Sequence, residues 1–343
     1  MTRARKTLVD PETTSYYHCI GRCVRRAWLW GEDRVSGRNY EHRKSWVTAR
    51  LAELADVFTL DVCAYAVMSN HYHLVLRIDT EKARALSEDE VIARYGRLFK
   101  MPVLIERYLD GLTTDAENAV AQTILGQWRE RLCDLSWYMR GLNEYLARRA
   151  NAEDGCKGRF WEGRFKSQAL LDDAAVLTCM SYVDLNPIRA RMAETPEESD
   201  FTSIQQRIRR LQVQPLKLEK TESPLPAEAA TVQPPLLDLV NSSHDDHVHC
   251  LGYTERDYLE LVDWAGRAVR ADKRGAIPSH IPPVLNRLGL DPGRFLYHMT
   301  GKSKLTQHLT AIGPLDRLQA LAKKMGQSFL KGTGLARQLY CVS

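Results

Sequence analysis

Apolar and polar residues alternate in short stretches of this chain, and the period changes in an informative order. Tyr16 to Trp30 alternates as a half-buried strand does. Tyr40 to Phe58 instead carries Val47, Leu51, Leu54 and Phe58 on one helical stripe. Period two returns over Leu60 to Met68, where Val62, Ala64, Ala66 and Met68 share one side, and over Tyr72 to Ile78. Strand, helix, strand, strand predicts the first half of a ferredoxin-like α+β fold with an antiparallel sheet.

Residues 79–118 are charged and helical, broken at Met101-Pro102 and Gly111, and read as an insertion. Asn118 to Ala150 carries an apolar stripe from Ile124 through Trp128, Leu135 and Leu142 to Leu146, which predicts one long second crossover helix. After a loop at Asn151 to Gly158, Arg159 to Leu171 reads as a strand with Arg164, Lys166 and Gln168 on one face. Asp172 and Asp173 are natural N-caps for a following helix, whose stripe is Val176, Met180 and Val183. Tyr182 lies about 160° around that helix from Met180, so burial does not explain it. Pro187 ends or kinks the helix.

Prolines 215, 224, 226, 234 and 235 then mark a linker. The predicted organisation is a basic tip over 1–14, a catalytic domain over 15–210, a Pro-rich linker over 211–250 and a helical C-terminal domain over 251–343. The 343 residues are 44% hydrophobic and 27% charged with net charge +5, which permits nucleic-acid binding and singles out no partner. The eight cysteines form no Cys-x-x-Cys pair, which argues against a zinc ribbon. Without a signal peptide or long apolar run, the expectation is a cytoplasmic protein in reducing surroundings, with no membrane span.

Candidate chemistry concentrates at Met68-Ser69-Asn70-His71-Tyr72-His73. On a strand His71 and His73 project side by side, while Tyr72 points the other way. Two adjacent imidazoles suit a divalent metal, although a bare His-x-His is more often a polar pair on an edge strand. Arg22, Arg25 and Arg26 on the first strand fit solvated edge charges or phosphate contacts. Arg159, Arg164, Lys166 and Gln168 precede the Tyr182 helix, and basic residues interleaved with aromatics favour single-stranded nucleic acid. His244, His247 and His249 form a polar cluster that could take a transition metal. Lys273, Arg274, Arg287, Arg294, Lys302 and Lys304 could touch phosphates or simply face solvent.

The histidine motif together with Tyr182-Val183-Asp184-Leu185-Asn186-Pro187-Ile188-Arg189-Ala190 resembles the single-tyrosine HUH transposases, and within them the REP-associated tyrosine transposases. Tyr17-His18-Cys19-Ile20-Gly21-Arg22 also fits. The resemblance implies a DNA strand transferase acting on single-stranded or hairpin DNA from palindromic repeats. It makes Tyr182 the nucleophile and His71 and His73 the ligands of Mg²⁺ or Mn²⁺; Asn186, four residues beyond Tyr182 at a helical spacing that Pro187 interrupts, is the candidate third ligand, and Arg189 a candidate DNA contact. The rival readings are a catalytically silent hairpin-binding protein and an HUH replication initiator or relaxase. Tyr182 has no neighbouring tyrosine, which favours the transposase. Oligomeric state is open between monomer and dimer.

Overall fold

The computed structural model of the chain describes residues 8–24, 31, 37, 39–213, 232–239, 251, 253–269, 291, 293, 294, 297 and 309–340. Five strands form one sheet: β1 (Tyr16–Arg22), β2 (Leu60–Val67), β3 (His71–Ile78), β4 (Lys166–Leu170) and β5 (Ala311–Ile312), in the order β2-β3-β1-β4-β5. β1 runs antiparallel to β3 and β4, β2 antiparallel to β3, and β5 parallel to β4. Helix α1 (His42–Val57) links β1 to β2. Helices α2 (Thr80–Ala85), α3 (Glu88–Gly96), α4 (Val103–Leu109), α5 (Asp115–Leu132) and α6 (Leu135–Glu153) lead from β3 to β4. The central β1 and β3 and the two crossovers give the ferredoxin-like α+β arrangement that the periodicity predicts.

Strand alternation divides the core into two layers. Tyr17, Cys19, Tyr72, Leu74 and Leu76 pack with Val47, Leu51 and Leu54 of α1 and Met139, Leu142 and Leu146 of α6. Ala64, Ala66, Val75 and Leu170 face the opposite layer, against helix α7 (Asp173–Asp184). Val62 does not share a side with Ala64 as expected. A β-bulge between them adds one residue to β2 and reverses the alternation. The Cys63 carbonyl at the bulge accepts from Nη2 of buried Arg207 at 3.1 Å.

The stretch expected as one long helix is two. Asp134 caps α6, its carboxylate accepting from the Ser136 and Trp137 amides at 2.6 and 3.0 Å. Such a cap contributes about 1 kcal/mol and starts a new helix. α5 packs on α2, α3 and α4, whereas α6 packs on α1. The insertion therefore runs through Leu132, and only α6 is the crossover. The first strand stops at Arg22 instead of continuing toward Trp30, and Arg25 and Arg26 lie outside the described residues. β4 is likewise shorter than its apolar pattern. Residues 159–165 form a loop, because adjacent Phe160 and Trp161 both turn toward the core and break the alternation.

After α7 come α8 (Asn186–Arg189), α9 (Ser203–Val213), α10 (Glu255–Val269), α11 (Leu315–Lys324) and α12 (Thr333–Leu339). The C-terminal helices are present, but their described parts are not set apart from the sheet. β5 extends it, Leu318 and Leu330 enter the first core layer, and Tyr258, Leu261 and Leu339 enter the second. Tyr340 donates its hydroxyl hydrogen at 2.8 Å to Oδ1 of Asp172, the residue that caps α7. His244, His247, His249, Lys273, Arg274, Arg287, Lys302 and Lys304 lie outside the described residues. Among the described residues no helix is long and apolar enough to cross a membrane.

One buried carboxylate joins α7, α9 and α10. Asp184 Oδ1 accepts from the Ser203 hydroxyl and from the Ile204 amide at 3.0 Å, and its Oδ2 accepts from the Tyr258 hydroxyl. Burial pushes its pKa up to about 6 from 3.8, with these hydrogen bonds opposing the rise. The folded state therefore holds this proton more tightly than the unfolded chain. The associated stability is full below pH 4 and is lost as pH rises through about 6. Relative to Asp184→Asn, the wild-type unfolding free energy should fall by about 3 kcal/mol between pH 3 and pH 7. Urea denaturation of both proteins across that range measures the difference, and a difference independent of pH would refute the assignment.

Candidate active site

Antiparallel pairing sets Ile20 opposite His73 and Arg22 opposite His71. With period two, His18, Arg22, His71 and His73 all project from the sheet toward the α7 layer. Tyr72 projects the other way, and its ring lies across Gly21, where an added Cβ would fall 2.4 Å from it. The Tyr72 hydroxyl donates to Asn143 Oδ1 at 2.6 Å, which commits that ring to the α6 side. The imidazoles of His71 and His73 are left side by side, their centroids 4.9 Å apart.

Helix α7 crosses above them. It was expected to bury only a stripe of Val176, Met180 and Val183, yet Ala174 through Ser181, Val183 and Asp184 are all buried. The sheet covers one side and α10 the other, where Gly266 comes close against Leu185. Tyr182 is half-buried in this otherwise enclosed run. Its ring centroid is 6.0 Å from that of His73 and 6.5 Å from that of His18, both nearly perpendicular. Leu185 separates α7 from α8, and Pro187 occupies the first turn of α8. Arg189 reaches back across this break. Its guanidinium carbon lies 3.6 Å from the Tyr182 ring centroid, and Nη2 donates to the Tyr182 carbonyl and to Asn186 Oδ1, each at 2.7 Å.

His18 is marked by the sequence only as a strand residue, and the structure puts it at the centre of the site. Its ring lies nearly parallel to that of His73 and edge to edge with it, the centroids 5.1 Å apart. Gln168 Oε1 is 3.2 Å from His18 Nδ1, and His18 Nε2 is 2.9 Å from His73 Nδ1. The amide oxygen can only accept, so His18 Nδ1–H donates to it. A neutral His18 then accepts at Nε2 from His73 Nδ1–H, leaving the lone pair of His73 on Nε2. His71 arrives at the same tautomer by another route, with Nδ1–H donating to Asn70 Oδ1 at 2.6 Å.

Electrostatics keep these rings uncharged. Burial pushes His18 and His71 down to about 4, with the Gln168 hydrogen bond opposing the shift at His18 and Arg22 reinforcing it at His71. His73 is held well below its ordinary value by burial first, then by the neighbouring imidazoles and Arg189. Burial also lowers Arg189, while the Tyr182 side chain favours its charged form. Neutral imidazoles with free Nε2 lone pairs are the form that ligates a metal. Among the described residues no group of three or more His, Cys, Asp and Glu side chains is arranged to hold an ion. His18 uses both its nitrogens within the protein, so His71 and His73 could ligate as a pair, with remaining positions left to other donors.

The expected DNA-contacting residues separate into two groups. Arg22, Arg159, Arg164 and Lys166 are exposed. Arg22 pairs with Glu162 at 3.6 Å, and Arg159 Nε donates to the Trp161 carbonyl at 2.9 Å. Gln168 and Arg189 are instead turned inward, onto His18 and Tyr182. Asn186, expected as a metal ligand, is buried with its amide oxygen engaged by Arg189.

The hydrogen-bond order makes a direct prediction for nitrogen-15 NMR of the metal-free full-length protein at neutral pH. His73 should be the Nδ1–H tautomer, and His18→Ala should let it populate both. A wild-type His73 protonated at Nε2 would reverse the order proposed for the three side chains.

No family model matches the chain, and no curated protein does. Among solved structures, a REP-associated tyrosine transposase bound to a REP hairpin is similar to it, with a TM-score of 0.35 and 12% identity over 67% of this chain and 97% of that one. At that TM-score the likeness carries no chemistry across.

Proposed function

We propose that this protein is a metal-dependent strand transferase that cuts single-stranded or hairpin DNA through a covalent bond to Tyr182. The observation that carries the reading is the placement of one half-buried tyrosine beside a pair of neutral histidines on a rigid sheet. A phosphodiester is anionic and resists attack. A divalent cation, Mg²⁺ or Mn²⁺, held by His71 and His73 would supply charge neutralisation and polarisation at the scissile phosphate.

The chain's own residues account for the rest. The Tyr182 hydroxyl gives up its proton and forms a bond to phosphorus. The bond from phosphorus to the 3′ oxygen breaks, and that oxygen takes up a proton to leave as a free 3′-OH. The phosphate stays on the 5′ side as a phosphotyrosine. One phosphoester replaces another, so a second 3′-OH can reverse the step without ATP. Arg189 sets the ring orientation by stacking on it. Arg22 and Lys166 stand at the strand ends nearest His71 and His73, and Arg159 and Arg164 lie in the loop that precedes β4. These exposed cations suit the phosphates of an unpaired strand. A palindromic repeat as the natural substrate follows from the motif resemblance.

The full-length protein, Mn²⁺ and labelled single-stranded genomic fragments should yield a protein–DNA adduct stable to denaturation, with the attached peptide mapping to Tyr182. Tyr182→Phe should lower adduct formation roughly 1,000-fold or more with gel shift retained. His71→Ala should lose the adduct while binding weakens far less, because phosphate contacts dominate affinity. Binding without any adduct in the wild type would make the protein a silent hairpin binder. An adduct that persists in Tyr182→Phe would move the nucleophile elsewhere.

A further inference from the structure

Two polar groups beside Tyr182 have buried nitrogens without a hydrogen-bond partner among the described residues: Asn186 Nδ2 and Arg189 Nη1. Leaving such a donor unpaired costs about 1–3 kcal/mol, more if charged. Both sit in one small constellation. Asn186 is over nine-tenths buried, and the hydrogen bond between Arg189 Nη2 and Asn186 Oδ1 joins the two groups at 2.7 Å. That bond also fixes the amide, because turning it would set its NH₂ against the guanidinium, donor against donor. Asn186 therefore spends its ligand-capable oxygen on a cation and keeps its donating end unspent. Arg189 does the same with its second nitrogen, while its charge lies against the ring of the proposed nucleophile.

We infer that Asn186 Nδ2 and Arg189 Nη1 form an anion-binding pair that takes the non-bridging oxygens of a phosphodiester, and that Asn186 is a phosphate donor and not a metal ligand. This rests on the reading of Tyr182 as nucleophile only for the identity of the phosphate as the scissile one. Two N–H donors that offer no lone pair, one of them cationic, complement an oxyanion and do not ligate a metal ion. A phosphate reaching these two nitrogens would give each the acceptor it lacks among the described residues. The metal then belongs to His71 and His73 alone, which leaves its remaining positions to water and substrate oxygens.

Asn186→Asp separates the two roles, because it preserves the oxygen that faces Arg189 and replaces the NH₂ by a second oxygen. A carboxylate improves a Mg²⁺ or Mn²⁺ ligand and destroys an anion donor. Two titrations of the full-length protein read this without turnover. One adds Mn²⁺ alone, followed by electron paramagnetic resonance. The other adds inorganic phosphate in the presence of a chelator, followed by the guanidinium nitrogen resonances of Arg189, assigned by their loss in Arg189→Lys. The wild type should show a saturable Arg189 shift. Asn186→Asp should weaken phosphate roughly 10- to 100-fold, the loss of one charged hydrogen bond, with Mn²⁺ affinity changed less than about twofold. Asn186→Ala, which removes both ends of the amide, should weaken phosphate and also leave Mn²⁺ affinity unchanged. Tighter Mn²⁺ binding in Asn186→Asp with loss of Mn²⁺ in Asn186→Ala would overturn the inference and restore Asn186 as a ligand. A wild-type Arg189 that ignores phosphate, or variants that bind it normally, would overturn it too. Because neither titration requires cleavage, the anion pair can stand or fall independently of adduct formation at Tyr182.

Discussion

Asp184 has no exposed surface, and its two oxygens gather Ser203, the Ile204 amide and Tyr258 from two further helices. A buried carboxylate is tolerated only when its lone pairs are used. Here that requirement locks the end of α7 against α9 and α10. At the other end of the same helix, Asp172 accepts from the Ala175 amide and from Tyr340. A helix pinned by hydrogen bonds at both termini, buried at Asp184 and half-buried at Asp172, cannot rotate without leaving polar groups unpaired. Tyr182, two residues before Asp184, is held over His73 as a consequence.

The same economy of polar groups governs the sheet below. Three histidines share one face, and as cations they would repel one another in a poorly solvated space. Burial and mutual proximity keep them neutral. Neutrality in turn lets them hydrogen-bond in series, since a chain from Gln168 through His18 to His73 needs one donor and one acceptor on each ring. Electrostatics and tautomer are thus set by one feature, the exclusion of water by α7. Arg189, the cation beside Tyr182, lies on the aromatic face and against carbonyl and amide oxygens, where its charge is partly compensated.

The C-terminal segments have a structural reason to accompany this site. A four-stranded sheet with helices on one face leaves its other face to solvent, and α7 alone would expose its outer side. α10 covers α7, while β5, α11 and α12 close the edge beyond β4. The fully buried character of α7, with apolar residues all round, follows from being sandwiched. The sheet and α12, which places Ala336 in the first layer and Leu339 in the second, tie the two core layers together.

Much of this was written in local periodicity. Alternation in β3 alone placed His71 and His73 on one face and Tyr72 on the other, because a strand's side-chain period does not depend on its partners. The helix-then-strand order predicted the ferredoxin-like sheet, and the motif around Tyr182 singled out its helix. What periodicity could not carry were facts set between segments. The break between α5 and α6 came from the Asp134 cap overriding a continuous apolar stripe, and the reversal at Val62 came from a bulge whose freed Cys63 carbonyl accepts from buried Arg207. The sequence carried no signal for what Gln168 and Arg189 touch within the protein: packing turned Gln168 onto His18 and Arg189 onto Tyr182. His18 was legible as a strand residue, the third histidine at an alternating position, but its bond to His73 joins residues far apart in the chain and exists only through the register of β1 against β3. Sequence determined which faces carried the reactive groups, since that is a property of neighbouring residues. Tertiary structure decided which groups met, because hydrogen bonding and burial depend on elements that the chain brings together only on folding.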